Sequence, residues 1–264
     1  MAAAKPFTVL VLAADRGPDD PVSQAAGVRH KCLAPVGGRS MLDRVVTALA
    51  ASPQVGCIAV SLRDAAVLQQ VPALAPLVEG GRLVALPAAG SPSRSVLKAA
   101  EELDDPFPLL VTTADHALLT TEMVDHFCAV SRDSGAAVTA GLTASGVLLA
   151  RYPQSKRTYL TFRDERYSGS NLFALMSGEA MALPRLWRRV EQQRKQPWRI
   201  AAVFGPVLLL GYLLRRFSLE QAMARISARL GLRVAAVKMP MAEAAIDVDK
   251  PEDLALVNEI CGKT

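Results

Sequence analysis

Arg16, Gly17 and Lys31 share one long polar loop, in the stretch VLVLAADRGPDDPVSQAAGVRHKCLAPVGGRSML (residues 9–42), directly after the first apolar run of the chain. A loop in that position is a usual phosphate site, because backbone N–H groups at the carboxyl end of a strand point at anions. The loop contains neither G-x-G-x-x-G nor G-x-x-x-x-G-K-[ST], so a dinucleotide fold and a P-loop are both unsupported. Carboxylates stand at two further changes of pattern. Asp115 follows the continuous apolar run of PLLVTTADHALLT (108–120), and Asp247 and Asp249 precede the helix start in AIDVDKPEDLALVNEI (245–260). His30, His116 and His126 do not form a metal-spaced set.

The elements that must carry these residues alternate. Apolar runs at Phe7–Ala13, Cys57–Leu62, Leu83–Leu86, Pro108–Thr113 and Ala136–Leu142 read as strands. Amphipathic stretches at Met41–Ala51, Asp64–Leu74, Ser93–Leu103 and Thr121–Ser134 lie between them and read as helices. That order predicts an α/β fold, a doubly wound, mostly parallel, Rossmann-like sheet covered on both faces. From Gly146 to Leu175 the pattern changes to short aromatic-bearing stretches typical of a mixed or antiparallel extension. Residues 179–230 read as successive helices, and a strand at Val234–Lys238 and a helix from Pro251 close the chain. With no repeat or flexible linker, the 264 residues read as a single domain carrying a helical insertion at about 177–239.

Composition narrows the class. Hydrophobic residues make up 51% and charged residues 21%, which suits a globular core. The four cysteines lack C-x-x-C spacing, so the expectation is reduced thiols in a cytoplasmic protein rather than zinc or disulfides. The run from Phe7 stops at Asp15, too early for a signal peptide. The apolar stretch from Ile200 to Leu214 falls short of a membrane span and contains Gly205, Pro206 and Gly211. The net charge of +5 conceals an asymmetry: Ser177–Met239 holds twelve Lys/Arg and three Glu, a balance of +9, against −4 for the rest.

With these residues in view, the chain resembles the nucleotidyltransferases of the molybdenum-cofactor and sugar-phosphate type, which have the nucleotide-diphospho-sugar transferase fold. The matching positions are Leu12, Ala13, Ala14, Arg16, Lys31, Leu33, Gly38, Ser40 and Met41, with Asp15 where that family usually has glycine and with a longer spacer. The resemblance implies that Arg16 and Lys31 cradle a triphosphate, that main-chain atoms near Ala13, Ala14 and Gly17 lie beside the nucleotide, and that Mg²⁺ is the cofactor. It implies Asp115 as a magnesium ligand, and a hard cation does favour carboxylate oxygen. By position in the closing D-x-D-x-P-E-D-L, Asp249 supplies the second carboxylate and Asp247 is the alternative. In PAAGSPSRSVLKAAEEL (87–103) a similar segment of the methylerythritol-phosphate cytidylyltransferase branch touches base and ribose, which makes Gly90 and Ser95 candidates and favours CTP.

Each residue also has a plain structural explanation. Ser91 or Ser93 caps a helix, and Asp249 does the same ahead of Pro251. Asn171 and Arg163, with Tyr159 and Arg166, are candidates for the acceptor, though an exposed edge strand with snorkelling arginines explains the latter three equally. Trp187, Trp198, Phe204, Leu208–Leu210, Tyr212 and Leu213 lie among arginines, suiting an anionic membrane surface, a homodimer interface, an apolar acceptor or a buried core helix. No nucleic-acid partner is expected, because no recognisable binding sheet or recognition helix carries the basic residues. The expected activity is transfer of NMP from an NTP, CTP or GTP, to a phosphorylated small molecule with release of pyrophosphate. The alternatives are a glycosyltransferase of related fold, for which TTAD offers one aspartate where D-x-D is needed, and a non-catalytic nucleotide-binding protein.

Overall fold

β-branched and aliphatic residues dominate FTVLVL, and it forms the strand β1 (Phe7–Leu12) at the centre of the protein. The computed structural model describes residues 4–14, 17, 19–193 and 206–262. After β1 come α1 (Pro21–Ala26), the two-residue strands β2 (Pro35–Val36) and β3 (Arg39–Ser40), α2 (Met41–Ala50), β4 (Val55–Leu62), α3 (Ala75–Glu79) and β5 (Leu83–Pro87). The middle of the chain forms α4 (Pro92–Glu102), β6 (Leu109–Thr113), α5 (Thr121–Asp133), β7 (Val138–Ala144), α6 (Ser145–Arg151), β8 (Leu160–Thr161) and β9 (Arg166–Leu175). The remaining described elements are α7 (Ala182–Gln193), α8 (Pro206–Leu213), α9 (Leu219–Leu230), β10 (Val234–Lys238) and α10 (Pro251–Gly262).

The main sheet runs β5-β4-β1-β6-β9-β7-β10, with β8 paired to β9. Neighbours are parallel except at β9, which runs antiparallel to β6, β7 and β8. The alternation of β1 shows how the sheet is covered. Val9 and Val11 pack with Leu42, Val45 and Leu49 of α2 and Phe127 of α5, whereas Leu10 packs with Val96 and Ala99 of α4 on the other face. All of these side chains are buried. Local signals place the helices: Ser40 accepts from the N–H of Asp43 at the start of α2, Ser91 and Pro92 start α4, and Ser218 with Gln221 forms a capping box on α9.

Three expectations need correction. The stretch 64–74 is not one helix but two 3₁₀ turns, Ala65–Gln70 and Pro72–Leu74, because Pro72 lacks an N–H and holds Val71 out of helical geometry at φ −121°, ψ 77°. The segment 146–175 opens with a helix, α6, before turning antiparallel. Its long strand is also no edge: β9 is hydrogen-bonded on both sides, to β6 and β7.

Within 177–239, α7 packs on α4, α9 packs on β10, and β10 extends the sheet beyond β7. Tyr212 lies 5.8 Å from the Phe162 ring, while Trp187, Leu210, Leu213 and Leu214 are exposed. Trp198 and Phe204 lie outside the described residues, as do the side chains of Leu208 and Leu209. Among the described residues no helix is long and apolar enough to cross a membrane.

Candidate active site

Strand order reverses beside β1: the chain moves outward through β4 and β5, then returns to lay β6 on the opposite side of β1. In an open parallel sheet such a switch point leaves a crevice outside the carboxyl ends of the two strands, where ligands collect. The register aligns Leu12 of β1 with Thr113 of β6, so the chain leaves both strands at the same level. Leu12, Ala13 and Ala14 line a cleft there, with Lys31, Cys32, Met41, Ala114 and Asp115. Residues distant in sequence thus meet because the topology brings two strand ends together.

Lys31 reaches into the cleft from a 3₁₀ turn, Lys31–Leu33. Its Nζ donates to Asp115 Oδ2 at 2.7 Å and lies 3.5 Å from Asp249 Oδ1. Burial works to lower the pKa of Lys31, but the adjacent charge and hydrogen bond of Asp115, followed by the charges of Asp249 and Asp20, outweigh it and raise the ammonium above its ordinary value. The cation is therefore locked in its charged form. The closing segment is held against β6 by a backbone hydrogen bond from the N–H of Val248 to the Asp115 carbonyl, 3.0 Å.

The two carboxylates differ in surroundings. Asp115 has 19% of its side chain exposed, Asp249 61%. Asp115 Oδ1 is buried and has no hydrogen-bond partner, an unusual and costly condition for a carboxylate oxygen. An orphaned oxygen with a second carboxylate beyond the lysine suits a hard divalent cation that takes one or two protein carboxylates and completes its shell with phosphate oxygens and water. Among the described residues no group of three or more His, Cys, Asp or Glu side chains is arranged to hold a metal by itself.

Asp247, the alternative second carboxylate, is committed elsewhere. Its Oδ1 pairs with Arg157, and its Oδ2 accepts from Asn171 Nδ2 at 2.8 Å. Burial raises its pKa, and the charges of Asp249 and Asp115 add to the rise against the pull of Arg157 and Asn171. Asn171 adopts φ 49°, a left-handed geometry that asparagine tolerates, and its side-chain partner is Asp247 rather than a residue lining the cleft.

Other expected residues lie further out. Gly17 takes φ 98°, where a side chain would be strained, and its carbonyl accepts from the Asp20 N–H. Asp15 and Arg16 are outside the described residues. Gly90 has φ 72° in the loop between β5 and α4, and the Ser95 hydroxyl accepts from the Ala89 N–H at 3.0 Å, holding that loop rather than lining the cleft. Arg163 is exposed, with its backbone N–H bonded to the Phe217 carbonyl. Arg157 carries no signal of its own in the sequence: it sits in a polar loop with no motif around it, and only its distant partners give it meaning.

Comparison with known proteins finds relatives of the chain in sequence and in fold. The sequence pattern described as the MobA-like NTP transferase domain matches residues 9–153. A solved structure described as a hypothetical transferase from Thermus thermophilus superposes with a TM-score of 0.75 at 31% identity, covering 95% of this chain and 100% of that one. The fold is shared with 4-diphosphocytidyl-2C-methyl-D-erythritol synthase from Anaerococcus prevotii (TM-score 0.57, 13% identity, 98% and 96% of the two chains). It is shared also with CMP:2-keto-3-deoxy-manno-octonic acid synthetase complexed with CTP (TM-score 0.60, 13% identity, 98% and 99%). No curated protein matches the chain in sequence. The matched span contains both halves of the cleft, the loop bearing Lys31 and the strand end bearing Asp115, and the chain belongs to the MobA-like NTP transferase domain family.

Proposed function

We propose that this nucleotidyltransferase moves an NMP from an NTP, CTP or GTP, to a phosphorylated small molecule, with release of pyrophosphate, and that it uses Mg²⁺. The observation that carries the proposal is the bridging of Asp115 and Asp249 by the Lys31 ammonium across the β1/β6 crevice. In the proposed step an oxygen of the acceptor phosphate attacks the α-phosphorus, the bond from that phosphorus to the bridging oxygen breaks, and pyrophosphate leaves with the electron pair. The nucleophile is already anionic, so no side chain need remove a proton.

What the chain supplies is position and charge. Lys31, with Arg16, holds the triphosphate and compensates the charge that builds on the leaving group. Asp115 and Asp249 would hold the magnesium, which when bound neutralises phosphoryl oxygens. Ala13 and Ala14 line the same cleft, and Gly90 and Ser95, the candidates for base and ribose contact, belong to the loop ahead of α4. The two neighbours named for cytidylyl products or bound CTP favour CTP over GTP.

A pyrophosphate-release screen of the four NTPs against phosphorylated alcohols and sugars tests the proposal. One NTP should support release, and Lys31→Ala should lower it by about 10²–10³, as expected for loss of a charge-stabilising donor. An unaffected Lys31→Ala enzyme would contradict it.

A further inference from the structure

Between Asp247 and Asp253 the chain makes a sharp change from extended segment to helix, and Asp249, at its middle, is the most exposed member of the acidic set. An exposed carboxylate on a loop is poorly placed to hold a ligand unless the loop itself is fixed. One side chain fixes it from both ends. Arg157 has only 8% of its side chain exposed. Its Nη1 donates to Asp247 Oδ1, and its Nη2 donates to the Asp247 carbonyl at 2.9 Å and to Asp253 Oδ1 at 3.1 Å. The second oxygen of Asp253 accepts from the N–H groups of Asp249, at 3.1 Å, and Lys250, at 3.0 Å.

The connection therefore runs guanidinium, Asp253 carboxylate, Asp249 backbone, without a gap. Helix-start chemistry alone accounts for Asp253 accepting from residues 249 and 250. It does not account for a buried arginine brought from the loop between α6 and β8 to bind both flanks of Asp249. The planar fork, with fixed donor directions, suits a brace between two carboxylates better than a lysine would.

We infer that Arg157 is a positioning residue: by clamping Asp247 and Asp253 it fixes the backbone of Asp249 so that this carboxylate faces Lys31 and Asp115 and completes the metal–triphosphate site. This rests on the transfer reading above. Arg157 touches no reacting atom, and its effect passes through Asp249.

The test is a double-mutant cycle read by Mn²⁺ retention in the presence of the NTP that supports turnover, or of each of the four in turn if none does, using electron paramagnetic resonance on the full chain. Arg157→Lys, Asp249→Ala and the double variant are compared with the parent. Supports of metal ligands commonly contribute 10–100-fold to affinity, so Arg157→Lys should weaken Mn²⁺ retention by about tenfold or more. The double variant should match Asp249→Ala to within about twofold, because the arginine acts through that residue. Retention unchanged in Arg157→Lys, or a loss that simply adds to that of Asp249→Ala, overturns the inference. If Arg157→Lys does not fold, Asp253→Asn takes its place, since it loosens the same link while leaving Arg157 paired with Asp247, and the same two results decide. A parent that retains Mn²⁺ with an NTP but releases no pyrophosphate counts against the transfer reading alone. A parent that retains none with any NTP overturns both.

Discussion

In the proposed transfer Lys31 has two roles of opposite sign toward a divalent ion. While no nucleotide is bound, its ammonium neutralises Asp115 and lies close to Asp249, competing with any cation for them. With the proposed triphosphate bound, the same ammonium would have a new anionic partner. Lys31→Ala should therefore tighten Mn²⁺ binding to the nucleotide-free protein, by about tenfold if the removed repulsion is roughly 1.4 kcal/mol, while it weakens NTP binding. Titrations with Mn²⁺ alone and with NTP alone check the two directions, and a variant that loses both equally contradicts the exchange. His116, next to Asp115, is 1% exposed, and burial lowers its pKa to about 4 against the opposing charge of Asp115. In the unfolded chain it titrates near 6.5, so its contribution to stability is complete above that pH and is lost as pH falls toward 4, by about 3 kcal/mol in all. Urea unfolding of the parent and His116→Gln at pH 7 and pH 4.5 should show a smaller acid loss in the variant; parallel losses would contradict the assignment. At this scale the sequence offered Lys31, Asp115 and Asp249 as candidates, because each stands in a motif at a change of element, and the structure brings their side chains together. It could not disclose Arg157 or the engagement of Ser95 with Ala89, since those follow from partners that folding alone supplies.

The short helix α1 shows how an element can serve the site without entering it. Asp20 is buried, and its Oδ1 accepts from the N–H groups of Val22 and Ser23, while Gly27 closes the helix in left-handed geometry at φ 64°. Six residues do not hold a helix by propensity alone, so the cap and the packing of Val22 must do so. Asp20→Ala should cost about 1 kcal/mol, which for a chain of this size lowers Tm by roughly 2–4 °C. It should also raise the KM for NTP, because the loop bearing Gly17 ends on this cap and the Asp20 charge supports Lys31. Thermal melts and steady-state kinetics check both; an unchanged Tm would contradict the capping role. Most strands of the sheet were legible because a continuous apolar run bounded by turns is a strong local signal, as in Leu83–Leu86 and Pro108–Thr113. The position of β9 was not. RYSGSNLFAL announces a strand, but whether it pairs at an edge or between β6 and β7 is settled by contacts far away in sequence, a choice that leaves no periodic trace. The stretch 64–74 failed for a local reason, Pro72, which breaks an otherwise helical spacing.

For the whole molecule, separate stability and function terms follow from where the core lies relative to the cleft. Leu49, fully buried under the sheet at the far end of α2, is part of the scaffold, whereas Lys31 stands at the crevice. Leu49→Ala should cost about 2–5 kcal/mol of stability and leave kcat at 25 °C near that of the parent. Lys31→Ala should do the reverse, and calorimetry with initial-rate assays would show the two effects apart. The most direct measurement for the account as a whole is a crystal structure with Mn²⁺ and an α,β-methylene NTP, with the metal located by its anomalous scattering. A single strong peak is expected at coordination distance from Asp115, with Asp249 beside it and the triphosphate against Lys31. A nucleotide or metal bound on another face, with Lys31 still paired to Asp115, would contradict it.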